Sequence, residues 1–371
     1  MPDMLAPDAP ITPEWLTSAL REGGALPQGE VAAVHLRAND AFNSAAAHLE
    51  VRYSSDAPET APRRLFLKRA IAAEWALRAG AREVAFYQFV APHRARLPML
   101  VPCYAAAVDA ASGQSFCLLL DVSETHAPPV TREQLIAGAV PAEALLDQVV
   151  DALAAFHAFW WEHPLLGQST FELPSWYADE ARHAQFVEET RRNWARFLEA
   201  EGAWFPEALR LLYEQVLAGY PVLWERYIRQ RVATHRRMTL SHGDCYLSQF
   251  LCPAPGTSSQ TYLIDFQGPA ADFGAMDLVF LFATFWPPAQ RREGQREERL
   301  LRRYHRALAA QGVRGYSWEA LLTDYRLALT YMLSYPVWDR NNGSRKDYWW
   351  PKLQCLAGAF QDWQCFKLLA G

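Results

Sequence analysis

Apolar and polar side chains alternate through much of the first third of the chain. Over 47–53, His48, Glu50 and Arg52 interleave with Leu49, Val51 and Tyr53, the period of two expected of a half-buried strand. Strand-like runs also cover 31–37 and 64–69 and, after a helical interval over 79–90, 104–108 and 115–120. Polar or glycine-bearing turns separate them at 54–62 and 111–113. A short helix comes first, with Thr12 as N-cap, Pro13 in its first turn, and Trp15, Leu16 and Leu20 on its apolar face. The order strand-strand-strand-helix-strand-strand predicts a small antiparallel sheet with one helix laid against it.

The period changes after Asp121. Residues 123–130 are polar and proline-marked, which suits a hinge, and the chain beyond reads mostly as helix. Within 142–161, Leu146, Val149, Val150, Leu153, His157 and Trp160 fall on one helical face. Twelve of the 14 tryptophans lie at or beyond position 160, so the large apolar payload sits in this half. One β-like interruption breaks it: 238–241, 249–252 and 262–266, with a Pro/Gly/Ser loop at 253–259. Helices resume from Asp277. The pattern predicts an α+β chain with a β-rich first lobe over 1–122 and a helical second lobe over 123–371.

Composition narrows the function classes. Half of the 371 residues are apolar (51%), enough for a large core, and the net charge of −5 (36 basic against 41 acidic) gives no basic footprint for a nucleic-acid partner. The longest nearly apolar run, 278–286, is about half of what a membrane span needs. Asp3 and Asp8 stand where a signal peptide requires positive charge, and the six cysteines form no C-x-x-C pair. Both features predict a cytoplasmic protein with reduced core thiols. More telling, the basic residues are 32 arginines and only 4 lysines, and Lys68 is the only lysine in the first 345 residues. A lysine kept in an arginine background marks a site that suits a compact point charge better than a planar fork.

The β interruption holds the chemistry. It reads Ser241-His242-Gly243-Asp244-Cys245-Tyr246-Leu247-Ser248-Gln249, then Leu263-Ile264-Asp265-Phe266-Gln267. A carboxylate follows one short strand, a side-chain amide oxygen comes five residues later, and a second carboxylate ends the next strand, 21 residues after the first. Phosphoryl transfer uses such a set: one carboxylate to accept or orient the attacking hydroxyl, and oxygen ligands for Mg²⁺ on the phosphates. Asp244 is the expected base, and Asp265 and Gln249 the expected metal ligands. Asp272-Phe273-Gly274 spells a competing metal motif, but no apolar strand leads into it, so Asp265 is preferred. Asp277 and His242 are expected to brace the loop, and His157, on an apolar helix face, to be a satisfied core histidine. Nothing around Cys245 marks it as a nucleophile.

His242-Gly243-Asp244, Ile264-Asp265-Phe266 and Asp277-Leu278 resemble the catalytic loop and metal site of the aminoglycoside phosphotransferase family, in wording closest to its ecdysteroid-kinase-like branch. The resemblance covers most of 30–340. It implies a bilobal protein-kinase-like fold and ATP and Mg²⁺ as cofactors. It makes Lys68 the residue that holds the α- and β-phosphates. Glu83 is the expected partner of Lys68: it shares a helix face with Phe86, Tyr87 and Val90, whereas Glu74 is too near Lys68 in sequence to return from a facing helix. The run 116–122 resembles the family's hinge, with backbone groups of Leu120 and Val122 against the adenine edge. Two departures stand out. The turn expected over the phosphates, 39–45, has no glycine, so Asn39, Asp40 and Asn43 serve as its turn residues and Ser44 is left to cap a phosphate oxygen. Gln249 replaces the family's asparagine. No G-x-G-x-x-G or P-loop motif occurs anywhere.

The resulting expectation is an ATP-dependent kinase of a small hydroxylated molecule, with its acceptor pocket formed by the catalytic loop and the helices of 170–230 and 330–365. The alternative is a nucleotide-binding pseudokinase that senses or scaffolds. Over 162–225, 11 acidic residues stand against 5 arginines, a modest excess for a polycationic acceptor. Trp176, Tyr177, Trp194, Trp204 and Phe205 make the lobe aromatic, and Trp338 to Trp350 is expected as a loop mixing flat apolar and polar groups. That composition favours an uncharged acceptor with apolar area, such as a sterol-like, macrolide-like or phenolic alcohol.

Overall fold

The computed structural model describes residues 10–40, 44–167, 178–257 and 260–369, with the side chains of 38–40 and 44 left out. The chain forms two compact units. The first comprises Met1–Ala127 and Leu251–Pro269, the second Pro128–Phe250 and Ala270–Gly371. Residues 251–269, assigned above to the helical lobe, thus fold with the first unit.

The first unit opens with α1 (Pro13–Glu22), where the Thr12 hydroxyl accepts from the Trp15 N–H at 3.2 Å. Strands β1 (Val31–Asp40), β2 (Ser44–Tyr53), β3 (Arg64–Ala70), β4 (Cys103–Val108) and β5 (Ser115–Leu120) build a five-stranded antiparallel sheet in the order β1-β2-β3-β5-β4. The helix α2 (Glu74–Val90) packs on β3, β4 and β5. It begins five residues before the expected helix, because 74–78 carries no glycine or proline to hold the start back. Strand alternation sorts the faces. Leu49, Val51, Leu65, Leu67, Phe116 and Leu118 join Leu16 and Leu20 of α1 in one core, leaving Lys68 and its register partner Cys117 on the opposite parity.

A second, three-stranded sheet completes this unit: β6 (His126–Ala127), β8 (Phe250–Pro253) and β9 (Tyr262–Leu263), in the order β6-β8-β9. β6 lies in the stretch read as a hinge. The expected strand 262–266 ends at Leu263, since Asp265 turns into the left-handed region at φ 68°.

The second unit is helical apart from β7 (Thr239–Ser241) and β10 (Ala270–Asp272), which pair antiparallel. Its helices are α3 (Arg132–Ile136), α4 (Glu143–Trp160), α5 (Glu180–Glu201), α6 (Glu207–Leu223), α7 (Arg229–Thr234), α8 (Ala275–Phe282), α9 (Pro288–Arg292), α10 (Arg296–Ala310), α11 (Trp318–Met332), α12 (Ser334–Asn341), α13 (Lys346–Asp362) and α14 (Phe366–Leu369). The face expected of α4 is buried, including His157. α8 is buried all round and packs on α11, so it forms the unit's centre. None of the described helices is long and apolar enough to cross a membrane.

Candidate active site

In the first unit, β3 presents Lys68 toward α2, and the inner stripe of α2 presents Glu83 back. Glu83 Oε2 lies 2.6 Å from Lys68 Nζ, and Asp265 Oδ1 pairs with the same ammonium. Glu83 is buried with Phe86, Tyr87 and Val90, as the helical offsets require. Glu74 instead is exposed and pairs with Arg78. Burial alone pushes the Lys68 ammonium toward neutrality, but the Glu83 and Asp265 carboxylates outweigh it and hold the pKa above the ordinary value. Burial raises Glu83, opposed chiefly by Lys68. The Asp265 side chain is 23% exposed against 3% for Glu83, so of the two carboxylates it is the one a hard cation can reach. Phe266 stacks flat on Phe86, with ring centroids 3.8 Å apart, and pins the segment to α2.

The hinge run is held by Asp121. Its carboxylate accepts from His48 Nδ1 at 2.8 Å, the Ser123 N–H at 2.9 Å and Arg64 at 3.3 Å. Leu120 donates its N–H to the Pro102 carbonyl. The Val122 carbonyl accepts from Thr125 and His126, while the Val122 N–H has no acceptor among the described residues. Of the phosphate-covering turn, 41–43 and the side chains of Asn39, Asp40 and Ser44 lie outside the described residues; the Ser44 backbone pairs opposite Ala70.

In the second unit, β7 runs into His242-Gly243-Asp244, with Gly243 at φ 78°. Asp277, fully buried in the first turn of α8, accepts from the His242 N–H at 2.6 Å and the Gly243 N–H at 3.0 Å. His157 Nε2 donates to the same carboxylate at 3.0 Å, which leaves its Nδ1 to accept from the Tyr304 hydroxyl at 2.7 Å. The Asp244 N–H donates to His242 Nδ1 at 3.3 Å. Asp244 is partly exposed, and Gln249 closes the short turn Leu247–Gln249 that follows. Burial pushes the Cys245 thiol well above its ordinary range, so it is no nucleophile. Asp272 does end a strand, β10, contrary to expectation. It is buried, however, and burial raises its carboxyl well above the ordinary range despite the Phe273 N–H bonded to it at 2.5 Å.

One cluster escaped the sequence reading. The run expected as a loop over Trp338 to Trp350 is the end of α12 and the start of α13, with only 342–345 between, because Pro351 sits a full turn inside α13 without breaking it. Trp349 is core, packed edge-on to Phe197 and Trp350, and Trp176 and Tyr177 lie outside the described residues. On the α12 and α13 faces the buried Lys352 donates to Asp339 at 2.8 Å and to the Tyr348 hydroxyl at 3.0 Å, and its ammonium lies 5.6 Å from the ring centroids of Tyr246 and Phe285. Tyr246 and Tyr335 both feel the negative charges of Asp244 and Asp339, after the larger effect of burial. The one available signal was that Lys352 is another lysine in an arginine-rich chain.

The profile of the Ecdysteroid kinase-like family matches residues 40–313, most of the chain. No curated protein matches it. Among solved structures it is similar to a choline/ethanolamine kinase family protein from Mesorhizobium loti, at 12% identity, 90% and 92% coverage of the two chains and a TM-score of 0.48. A Plasmodium vivax ethanolamine kinase aligns at 10% identity, 89% and 84% coverage and a TM-score of 0.49. An aminoglycoside phosphotransferase, as a ternary complex with ADP and hygromycin B, aligns at 15% identity, 97% and 99% coverage and a TM-score of 0.48.

Proposed function

The chain belongs to the ecdysteroid kinase-like family, and from that premise we propose that it transfers the γ-phosphoryl group of ATP, with Mg²⁺, to a hydroxyl of a small molecule. The observation that carries this reading is the Lys68 ammonium paired with both Glu83 and Asp265. One half-buried cation fixed by a buried carboxylate, beside a second and more exposed carboxylate, is a donor set that fits a metal-bound polyphosphate. Among the described residues no three His, Cys, Asp or Glu side chains group to hold a metal. A Mg²⁺ ion suits such a site, since it takes few protein ligands and completes its shell from phosphates and water.

Lys68 holds the α- and β-phosphates and Glu83 keeps its ammonium aimed. Asp265 and Gln249 offer side-chain oxygens to the metal. The backbone at Leu120 and Val122 meets the adenine edge, and Ser44 caps a phosphate oxygen. Bound Mg²⁺·ATP supplies the phosphoryl group and the neutralising charge. Asp244 accepts the proton of the acceptor hydroxyl as its oxygen bonds to phosphorus and the bond to the ADP oxygen breaks, so the charges balance. Positioning and electrostatics account for most of the acceleration, since this transfer leaves little covalent work to the protein.

For the acceptor we propose an uncharged hydroxylated molecule with apolar area. Tyr246 and Tyr335 lie within the field of Asp244, and the Lys352 ammonium next to Tyr246 is paired with Asp339, so these rings do not face a dense cluster of unpaired carboxylates. That combination supports stacking on a neutral acceptor and disfavours a polycation. The test is ATP depletion across phenolic, sterol-like and macrolide alcohols beside kanamycin-type compounds, with Asp244→Asn as control. Asp244→Asn is expected to lose at least about a hundredfold in kcat, within the range for removing a general base, with ATP affinity nearly intact. Normal turnover by that variant refutes the base. Salt-sensitive turnover of aminoglycosides alone refutes the acceptor class and leaves the kinase reading standing.

A further inference from the structure

Away from Lys68, the first unit holds a cavity of about 480 Å³, within the size range of small-ligand sites. It lies along the edge strand β4, bordered by the last turns of α2, the 91–98 segment and the glycine turn after α1. Its walls are mainly apolar: Val90, Leu97, Leu100 and Val101 are buried and line it. Arg94 is the only charged residue among the described lining residues, and no acid accompanies it. Its guanidinium makes one long bond, 3.4 Å to the Gly23 carbonyl, and no ion pair with a carboxylate among the described residues. Tyr104 lines the same cavity; burial raises its hydroxyl, and the Arg94 charge partly offsets this, which sets the guanidinium near the phenol. The Tyr87 ring forms part of the wall, and its buried hydroxyl has no hydrogen-bond partner among the described residues, an unusual state for a buried polar group.

An apolar cavity with one unpaired guanidinium and no carboxylate complements an anion carried on an apolar body. We propose that this cavity binds one small amphiphilic carboxylate, its apolar body against Val90, Leu97 and Leu100 and its carboxylate on Arg94. The site is separate from the residues assigned to phosphoryl transfer, so it stands whether or not that reading holds.

The experiment titrates the full chain with decanoate below its micelle concentration, using isothermal calorimetry, with decanol and decyltrimethylammonium as neutral and cationic counterparts. The expected result is saturable 1:1 binding of decanoate, weakened at least about tenfold by Arg94→Gln, the size of one charge-assisted bond of roughly 1.4 kcal/mol. Decanol should bind the wild type and Arg94→Gln alike, and the cation more weakly than either. Ala95→Trp, which fills the mouth from an exposed position, should abolish binding while leaving the melting temperature in place. Hydrogen exchange should slow over 87–90 on adding decanoate. Non-saturable uptake, equal decanoate affinity in Arg94→Gln, or full binding by Ala95→Trp each overturns the proposal.

Discussion

Asp265 is held at φ 68°, a conformation that costs a non-glycine residue on the order of 1 kcal/mol or more and persists where surrounding contacts impose it. The contacts here are the Lys68 ion pair and the Phe266–Phe86 stack. Burial raises the Asp272 carboxyl well above its ordinary range, which disfavours the charged form that a metal ligand needs. Asp265→Ala is therefore expected to abolish Mg²⁺-dependent ATP binding, whereas Asp272→Ala should retain it. A Mg²⁺ titration of nucleotide binding in the two variants separates them, and the reverse pattern would move the metal site seven residues along the chain. Lys68→Arg keeps the charge but puts a planar fork against two carboxylates that converge on a single point. A raised KM for ATP and a lowered kcat are expected; wild-type kinetics would mean that the lone lysine has no special role. The Lys68–Glu83 pair was legible in the sequence, from the lone lysine of the first 345 residues and from the helical offset of Glu83; Asp265 reads there as a strand end, whereas the strand stops at Leu263 and Asp265 sits in the turn after it. Lys352 was not legible, because its partners Asp339, Tyr348 and Tyr246 converge only once α12, α13 and the catalytic loop pack.

At the scale of elements, the catalytic loop is braced by a buried chain that runs from Tyr304 of α10 through His157 of α4 to Asp277 of α8 and the N–H groups of His242 and Gly243. Each link is individually ordinary. The cost appears when one is removed, because a buried N–H left unpaired loses about 1–3 kcal/mol. Asp277→Asn turns an amide NH₂ toward one of the two loop donors. A stability loss of about 2 kcal/mol and a lowered kcat with unchanged KM for ATP are expected, from urea unfolding and steady-state kinetics. Tyr304→Phe should cost about half as much. A second device sits where α5 meets α11 and Trp224. Burial lowers the pKa of His183 to about 4 from an ordinary 6.5, its Nε2 lies 2.9 Å from the Tyr331 hydroxyl, and its ring stacks on Trp224. The unfolded chain binds this proton more readily than the folded one, so stability is full above about pH 6.5 and falls as the pH drops toward 4. Urea midpoints at pH 7 and pH 5 should differ less in His183→Gln than in the wild type; equal slopes would show that this histidine does not couple folding to pH.

On the scale of the whole chain, the first unit is discontinuous. Residues 251–269 reach back to it through the Leu263 N–H on the Met99 carbonyl at 2.8 Å, the Ala254 N–H on the Thr125 carbonyl at 2.8 Å, and His126 Nε2 on the Gln260 carbonyl at 3.0 Å. Composition reads that segment as part of the helical half because its neighbours in sequence are helical, while its partners in space lie more than a hundred residues earlier. The five sheet strands were legible for the converse reason: their alternation is local and their pairing follows chain order except for the β5–β4 exchange. The discontinuity has a measurable consequence. A fragment of residues 1–127 lacks Phe266, which covers Phe86, and Asp265, which pairs with Lys68. Exposing Phe86 alone forfeits about 1.5–3 kcal/mol, a large share of the stability of a domain this size. The fragment is expected to bind a hydrophobic dye and to unfold without a sharp transition. Appending 251–269 through a flexible linker should restore cooperative unfolding in urea, and Phe266→Ala in that fusion should remove it again. Cooperative unfolding of 1–127 by itself would show that the late segment docks on a finished domain and contributes Asp265 to it without holding it together.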